Sequence, residues 1–191
     1  MATTQLTPVN TPAPKDSHST DGVMSELGAP SKKRSRLRRE ARGRCLHLID
    51  IENLTGSSSP SSEEVVDVRD RYLEQFFEEG DLVIMAASHH AMRRAAFAWP
   101  DARKMQRSGR DGADFALIDV LVNESVSEKF NTVMIGSGDG IFADVCTWLG
   151  MSSVMTIAVS NSRSISMKLR LAADKTIYLD MEPLEYRSMA A

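Results

Sequence analysis

Val133-Met134-Ile135-Gly136-Ser137-Gly138-Asp139-Gly140-Ile141-Phe142 is the stretch that decides the fold. Val133 to Ile135 reads as a short buried strand. It stops at a glycine-rich turn holding one carboxylate, Asp139. The apolar-periodic residues 141–149 then read as a helix. Strand, tight turn and helix place Asp139 at the carboxyl end of a strand, where open α/β sheets build their sites. The pattern recurs at Cys45–Asp50, an apolar strand ending in an aspartate, with Asn53 in the loop just beyond. A third aspartate, Asp114, opens the helix that follows Gly112.

Between and around these segments the alternation continues. Ser61 and Glu64 fit a capping box. The helix they open carries Val65, Val68, Tyr72 and Phe76 on one side and ends at Gly80. Residues 82–87 read as a second strand, and residues 91–98 as a helix ended by Pro100. Residues 102–106 form a short strand or extended loop, and residues 113–125 a helix. After residues 141–149, capped by Gly150, come a strand at 154–159, a helix to Ala173 capped by Ser164 or Ser166, and a last strand at 175–179. Strands alternating with helices imply a three-layer α/β fold, a mostly parallel sheet with helices on both faces. No internal repeat is visible.

The chain has 191 residues, 42% of them hydrophobic, enough for one domain and a tail. Residues 1–43 read as a disordered tail, 44–180 as the folded domain and 181–191 as a C-terminal tail. The first 30 residues are rich in Thr, Pro, Ser and Ala and cannot bury enough apolar surface to offset ordering entropy. Cys45 and Cys146 fall in apolar elements and read as buried thiols rather than a disulfide, which fits a reducing cytoplasm. No apolar stretch resembles a secretory signal. The longest apolar run, residues 82–87, is too short to span a bilayer, so no membrane partner is expected.

Net charge is −3, but it is unevenly placed. A basic arm at 32–44 holds Lys32, Lys33, Arg34, Arg36, Arg38, Arg39, Arg42 and Arg44, with Glu40 its lone acid. Setting that arm aside leaves 15 of 23 basic and 25 of 26 acidic residues, so the remainder carries about −10. A basic arm on an acidic body is the footprint of an anionic partner such as RNA. The alternative is a solubilising linker.

Three aspartates at the ends of separate elements, with no Cys or His at ligand spacing, suit a hard divalent cation. Mg²⁺ and Mn²⁺ take oxygen ligands, and Mg²⁺ keeps several waters. Carboxylates held this close repel without a cation, and one stays protonated at a raised pKa. Each also has a bland reading: Asp50 and Asp139 as turn formers, Asp114 as a charge in a helix first turn. Asp119, five residues beyond Asp114, is rotated by about 140° and points elsewhere. Asp144 lies in the first turn after Asp139 and is a candidate fourth ligand. Asn53 and Ser137 are supporting candidates, for a ligand, a water or a carboxylate. The spacing of Gly136, Gly138 and Gly140 is not the dinucleotide fingerprint. These glycines suit a tight turn and close approach of a phosphate to a helix start. His89 and His90 read as a surface turn after the second strand, and Trp99 as packing. Arg103, Lys104, Arg107 and Arg110 precede Asp114, while Arg163, Lys168 and Arg170 follow the fifth strand. Both groups border expected carboxyl-end loops and suit a phosphate backbone, or else a solvated face.

Residues Leu48-Ile49-Asp50-Ile51-Glu52-Asn53-Leu54, Gly112-Ala113-Asp114-Phe115-Ala116-Leu117 and Ile135-Gly136-Ser137-Gly138-Asp139-Gly140-Ile141-Phe142 together resemble the three signature segments of NYN domains, of the PIN-like nuclease superfamily. The resemblance covers roughly residues 44–180. It implies a flavodoxin-like (PIN-like) sheet, a Mg²⁺ or Mn²⁺ site at Asp50, Asp114 and Asp139, and endoribonuclease activity. The family's third segment usually carries a second aspartate where this chain has Ile141. That departure leaves open a substitution by Asp144, and a non-catalytic RNA-binding or regulatory module as the alternative function. A nucleotide phosphohydrolase ranks lower, because Glu52 stands where an Asp-x-Asp would need its second aspartate. Oligomeric state and protein partners stay open.

Overall fold

The computed structural model describes residues 43–179. The expectations for the tails, and for Lys32 to Arg42 of the arm, lie outside the described residues. Six strands form one sheet: β1 (Cys45–Asp50), β2 (Leu82–Ala87), β3 (Arg103–Gln106), β4 (Thr132–Gly136), β5 (Met155–Ser160) and β6 (Lys175–Tyr178). All neighbours pair in parallel, in the order β3-β2-β1-β4-β5-β6. The helices are α1 (Ile51–Thr55), α2 (Ser62–Phe76), α3 (His89–Ala98), α4 (Gly112–Asn123), α5 (Val126–Lys129), α6 (Ala143–Met151) and α7 (Met167–Ala172), with a 3₁₀ turn at Gly140–Phe142. The expected fold class is borne out as a three-layer α/β, flavodoxin-like architecture.

The order follows from handedness. Right-handed crossovers from β1 to β2 to β3 put α1, α2 and α3 on one face. The chain then returns to β4, beside β1 on its other side, and walks outward to β6. The same hand now puts α4 to α7 on the opposite face. Two cores result. One joins Ile49, Met85 and Met134 to Val65, Tyr72 and Ala95, and the other joins Leu48, Ile84 and Ile135 to Leu117, Phe142 and Leu149. Side-chain alternation along β1 feeds both, since Leu48 and Ile49 point to opposite faces. That is why β1 is buried along its whole length. The β1/β4 border is the switch point, where the loops leaving the two strands part and leave a crevice.

Local chemistry moved several boundaries. Ser88 accepts from the Ala91 amide, so α3 begins at His89, and both histidines stand in a helix rather than a turn. The α2 helix ends at Phe76, before Gly80. Gly150 lies within α6, with open space where a Cβ would be. Ser125 adopts φ 49 and separates α4 from the unforeseen α5. Of the two candidate caps for α7, Ser166 does the capping, accepting from the Leu169 amide. Trp99 is buried beside Tyr72, as a packing residue should be. Both cysteines are free and buried, and burial raises the Cys146 thiol to about 11. No helix among the described residues is long and apolar enough to cross a membrane.

Candidate functional site

The register sets the site. Ile49 pairs with Gly136, so Asp50 and Ser137 are the next residues out on adjacent strands. Ser137 Oγ lies 3.3 Å from Asp50 Oδ2 and donates to it, while accepting from the Asp139 amide at 3.2 Å. Asp50 is also the N-cap of α1, its Oδ1 accepting from the Asn53 amide at 3.2 Å. Asn53 is thus helical rather than in a loop, and its Oδ1 accepts from the Gly138 amide at 2.8 Å. Asn53 and Ser137 together tie the end of β1 to the end of β4 across the switch point.

The α4 helix, arriving from β3, brings Asp114 to this rim in its first turn. Asp50 is 6% exposed and Asp114 7%. Burial pushes the Asp50 carboxyl up to about 6, opposed by the hydrogen bonds from Asn53 and Ser137. Burial, reinforced by the charges of Asp50 and Asp139, pushes Asp114 up to about 8. A neutral Asp114 beside an ionised Asp50 is the state these shifts describe near neutrality. Asp114 Oδ1 is buried and has no hydrogen-bond partner. An unpartnered buried oxygen beside like charge is costly, and a bound cation would relieve it.

Asp139 lies close enough for its charge to reach Asp114, but it is not buried with the pair. It is exposed, and its Oδ1 accepts from the Ile141 amide at 2.9 Å, capping the 3₁₀ turn. Among the described residues, no three His, Cys, Asp or Glu side chains converge to hold a metal ion. The buried pair offers two carboxylates, so an ion held there would keep much of its water. Asp144 departs from the expectation: its side chain is 83% exposed and pairs with Lys168 at 3.1 Å. In the first turn of α6, the helix phase points it to solvent.

A cleft of about 500 Å³ opens over the pair, lined by Asp50, Glu52, Asn53, Ser88, Asp111 and Asp114 among others. Three of these residues, Glu52, Ser88 and Asp111, had no role from sequence. Glu52 accepts from the Ser88 amide at 2.8 Å and the Ser88 hydroxyl at 2.9 Å, pinning the end of β2 to the end of β1. Its place two residues after Asp50 was the available signal, and it read only as a missing aspartate. Asp111 begins α4 at φ 56, and nothing in the sequence announces that backbone.

The basic residues divide sharply. Arg103, at the amino end of β3, makes two 2.8 Å contacts with Glu124 at the far end of α4, so it leaves the rim. Lys104 reaches back to the Pro100 carbonyl. Arg107 pairs with Asp119 at 2.8 Å and lies over the Phe115 ring. Asp119 points away from the site, as its helical offset requires. Arg110 is 96% exposed at the cleft edge, and Arg163 is exposed after β5. Arg44 precedes β1 at the amino end of the sheet, where it donates to the Gly80 carbonyl and lies over Phe130. The arm therefore joins the domain at the pole opposite the carboxylates, six strand residues or about 20 Å away.

The glycine turn also differs in use. A Cβ on Gly138 would stand 2.4 Å from the Ser164 carbonyl oxygen and 2.6 Å from Ser160 Oγ. The close approach that requires glycine is by the chain's own β5–α7 loop, rather than by a phosphate.

Fold and site together define a doubly wound α/β domain with a buried aspartate pair at its switch point. No model of a known family matches the chain, and no curated protein matches it. A crystal structure of a protein of unknown function from Vibrio parahaemolyticus is similar at a TM-score of 0.49 and 17% identity, covering 73% of this chain and 94% of that one.

Proposed function

We propose that this chain is a cytoplasmic, metal-dependent endoribonuclease of the NYN type, within the PIN-like superfamily. The observation that carries the reading is the Asp50–Asp114 pair, buried at the switch point with one Asp114 oxygen unpartnered. Bound Mg²⁺ or Mn²⁺ would supply Lewis-acid charge and a water of lowered pKa beside a phosphodiester. Asp50 and Asp114 would hold the ion, with Asp139 near enough to add charge. Ser137 and Asn53 fix the Asp50 carboxylate, since both hydrogen bonds lock its rotamer. Arg110 and Arg163 at the rim, and the arm from Lys32 to Arg44, would bind RNA phosphates.

A second reading is a non-catalytic RNA-binding module. Its support is Asp139, which caps its own turn while Ile141 takes the place of an acid.

Cleavage of single-stranded RNA with Mn²⁺, and with EDTA, tests the first reading. The expected result is Mn²⁺-dependent internal cleavage, lost in Asp50→Asn and Asp114→Asn variants that remain folded. Tight RNA binding with no cleavage under any divalent cation would replace it with the second.

A further inference from the structure

A second cavity, of about 580 Å³, lies beside the carboxylate cleft, lined by Thr55, Val68, Arg71, Asn161, Arg163 and Ser164 among others. Ser164 lines both cavities. The two cavities therefore adjoin at Ser164 on the carboxyl rim, as two lobes. One lobe lies toward β2 and the start of α4, and the other lies between α2 and the loop after β5.

The charges of the second lobe are mostly committed. Glu64 accepts from the Ser61 amide at 2.7 Å, closing the capping box. Asp67 is paired with Arg71 at 2.7 Å. Arg163 has no hydrogen bond or ion pair among the described residues, and it lines the cavity from an exposed loop. The loop itself is well anchored: Asn161 donates to the Leu54 carbonyl at 2.9 Å, and the Ser166 amide donates to the Gly138 carbonyl at 2.8 Å. A guanidinium on an anchored loop, with its donors unused, is suited to take a phosphate.

We infer that Arg163 and this lobe bind a backbone phosphate of the same RNA strand whose neighbouring phosphodiester lies at Asp50 and Asp114. This rests on the RNA reading above and specifies its substrate: a single strand running along the rim across Ser164. The Asp50–Asp114 lobe repels phosphate unless a cation sits there, so the Arg163 lobe is the metal-independent anchor that sets the position of the strand.

The test measures binding of a 2′-O-methyl oligoribonucleotide, which resists cleavage, to the full chain in EDTA over a range of salt. Arg163→Ala should weaken binding about tenfold at low salt. It should also lower the slope of log affinity against log salt by about 0.7, the value for one phosphate contact on a single strand. Arg163→Lys should recover much of the slope. Arg93→Ala, removing an exposed cation outside both cavities, should change neither quantity. An unchanged slope in Arg163→Ala, or an equal loss in Arg93→Ala, would overturn the subsite. If Arg163→Ala shows its loss while unmodified RNA is never cleaved with Mn²⁺, the nuclease reading fails and the subsite stands.

Discussion

Replacing Asp114 by Asn should stabilise the metal-free domain at pH 8 and leave it nearly unchanged at pH 4. Folding raises the Asp114 pKa from 3.8 to about 8. Below pH 4 both folded and unfolded states carry the proton, and the site costs nothing. Between pH 4 and 8 the unfolded chain ionises first, so the folded state binds more protons and stability falls as pH rises. Above pH 8 the loss is complete. At 1.36 kcal/mol per unit, a shift of about four units sets a ceiling of about 6 kcal/mol. Asp50 shares the proton, and water in the open cleft screens the charge, which reduces the cost to about 2–3 kcal/mol. Asparagine removes the charge and can donate to Asp50 where the shared proton did. For a domain of this size the gain amounts to about 8 °C in melting temperature at pH 8. Differential scanning calorimetry in EDTA at the two pH values reads it. Added Mn²⁺ should then raise the melting temperature of wild type at pH 8 and leave Asp114→Asn unmoved. A variant that melts below wild type at pH 8, or shifts equally at both pH values, would refute the electrostatic account.

The other predictions concern the turn, the missing acid and the arm. Gly138→Ala should cost about 1–3 kcal/mol, because its Cβ meets the Ser164 carbonyl and Ser160 Oγ and the β5–α7 loop must yield; wild-type stability by urea denaturation would show that the loop gives way freely. Ile141→Asp should tighten Mn²⁺ binding measured by calorimetry, at a stability cost of about 1 kcal/mol for the apolar contact Ile141 makes with the core. A folded Ile141→Asp variant with wild-type Mn²⁺ affinity would mean that residue 141 does not face the ion. Deleting residues 1–42 should spare folding and flatten the salt dependence of RNA binding, by about 0.7 for each arm cation that contacts a phosphate. An unchanged slope would remove the arm from the interface.

The sequence by itself determined the layering, the strands and the candidate carboxylates. Apolar runs such as Cys45–Asp50 and Leu82–Ala87 are long enough to read as buried strands, and helices between them force parallel pairing. Asp50, Asp114 and Asp139 were legible because each ends or opens an element, and element ends follow from local pattern. Ser137 was legible as a partner for a carboxylate, because the turn that holds it is short.

Pairing and orientation required the tertiary structure. Asp50 and Asp114 meet only because β1 is central and α4 returns to the same rim, which is a matter of strand order. Asp139 capping its own turn, and Asp144 reaching for Lys168, depend on helix phase within a residue or two, which periodicity does not resolve. Arg103 and Lys104 read as rim residues because β3 is short and its ends lie close together. Only the pairing of Arg103 with Glu124 shows which end it occupies. Glu52 gained its role from Ser88, 36 residues away, and Arg163 from a cavity whose walls come from α1, α2 and the loop after β5. Long-range contacts of this kind are set by packing, and a local sequence pattern carries no record of them.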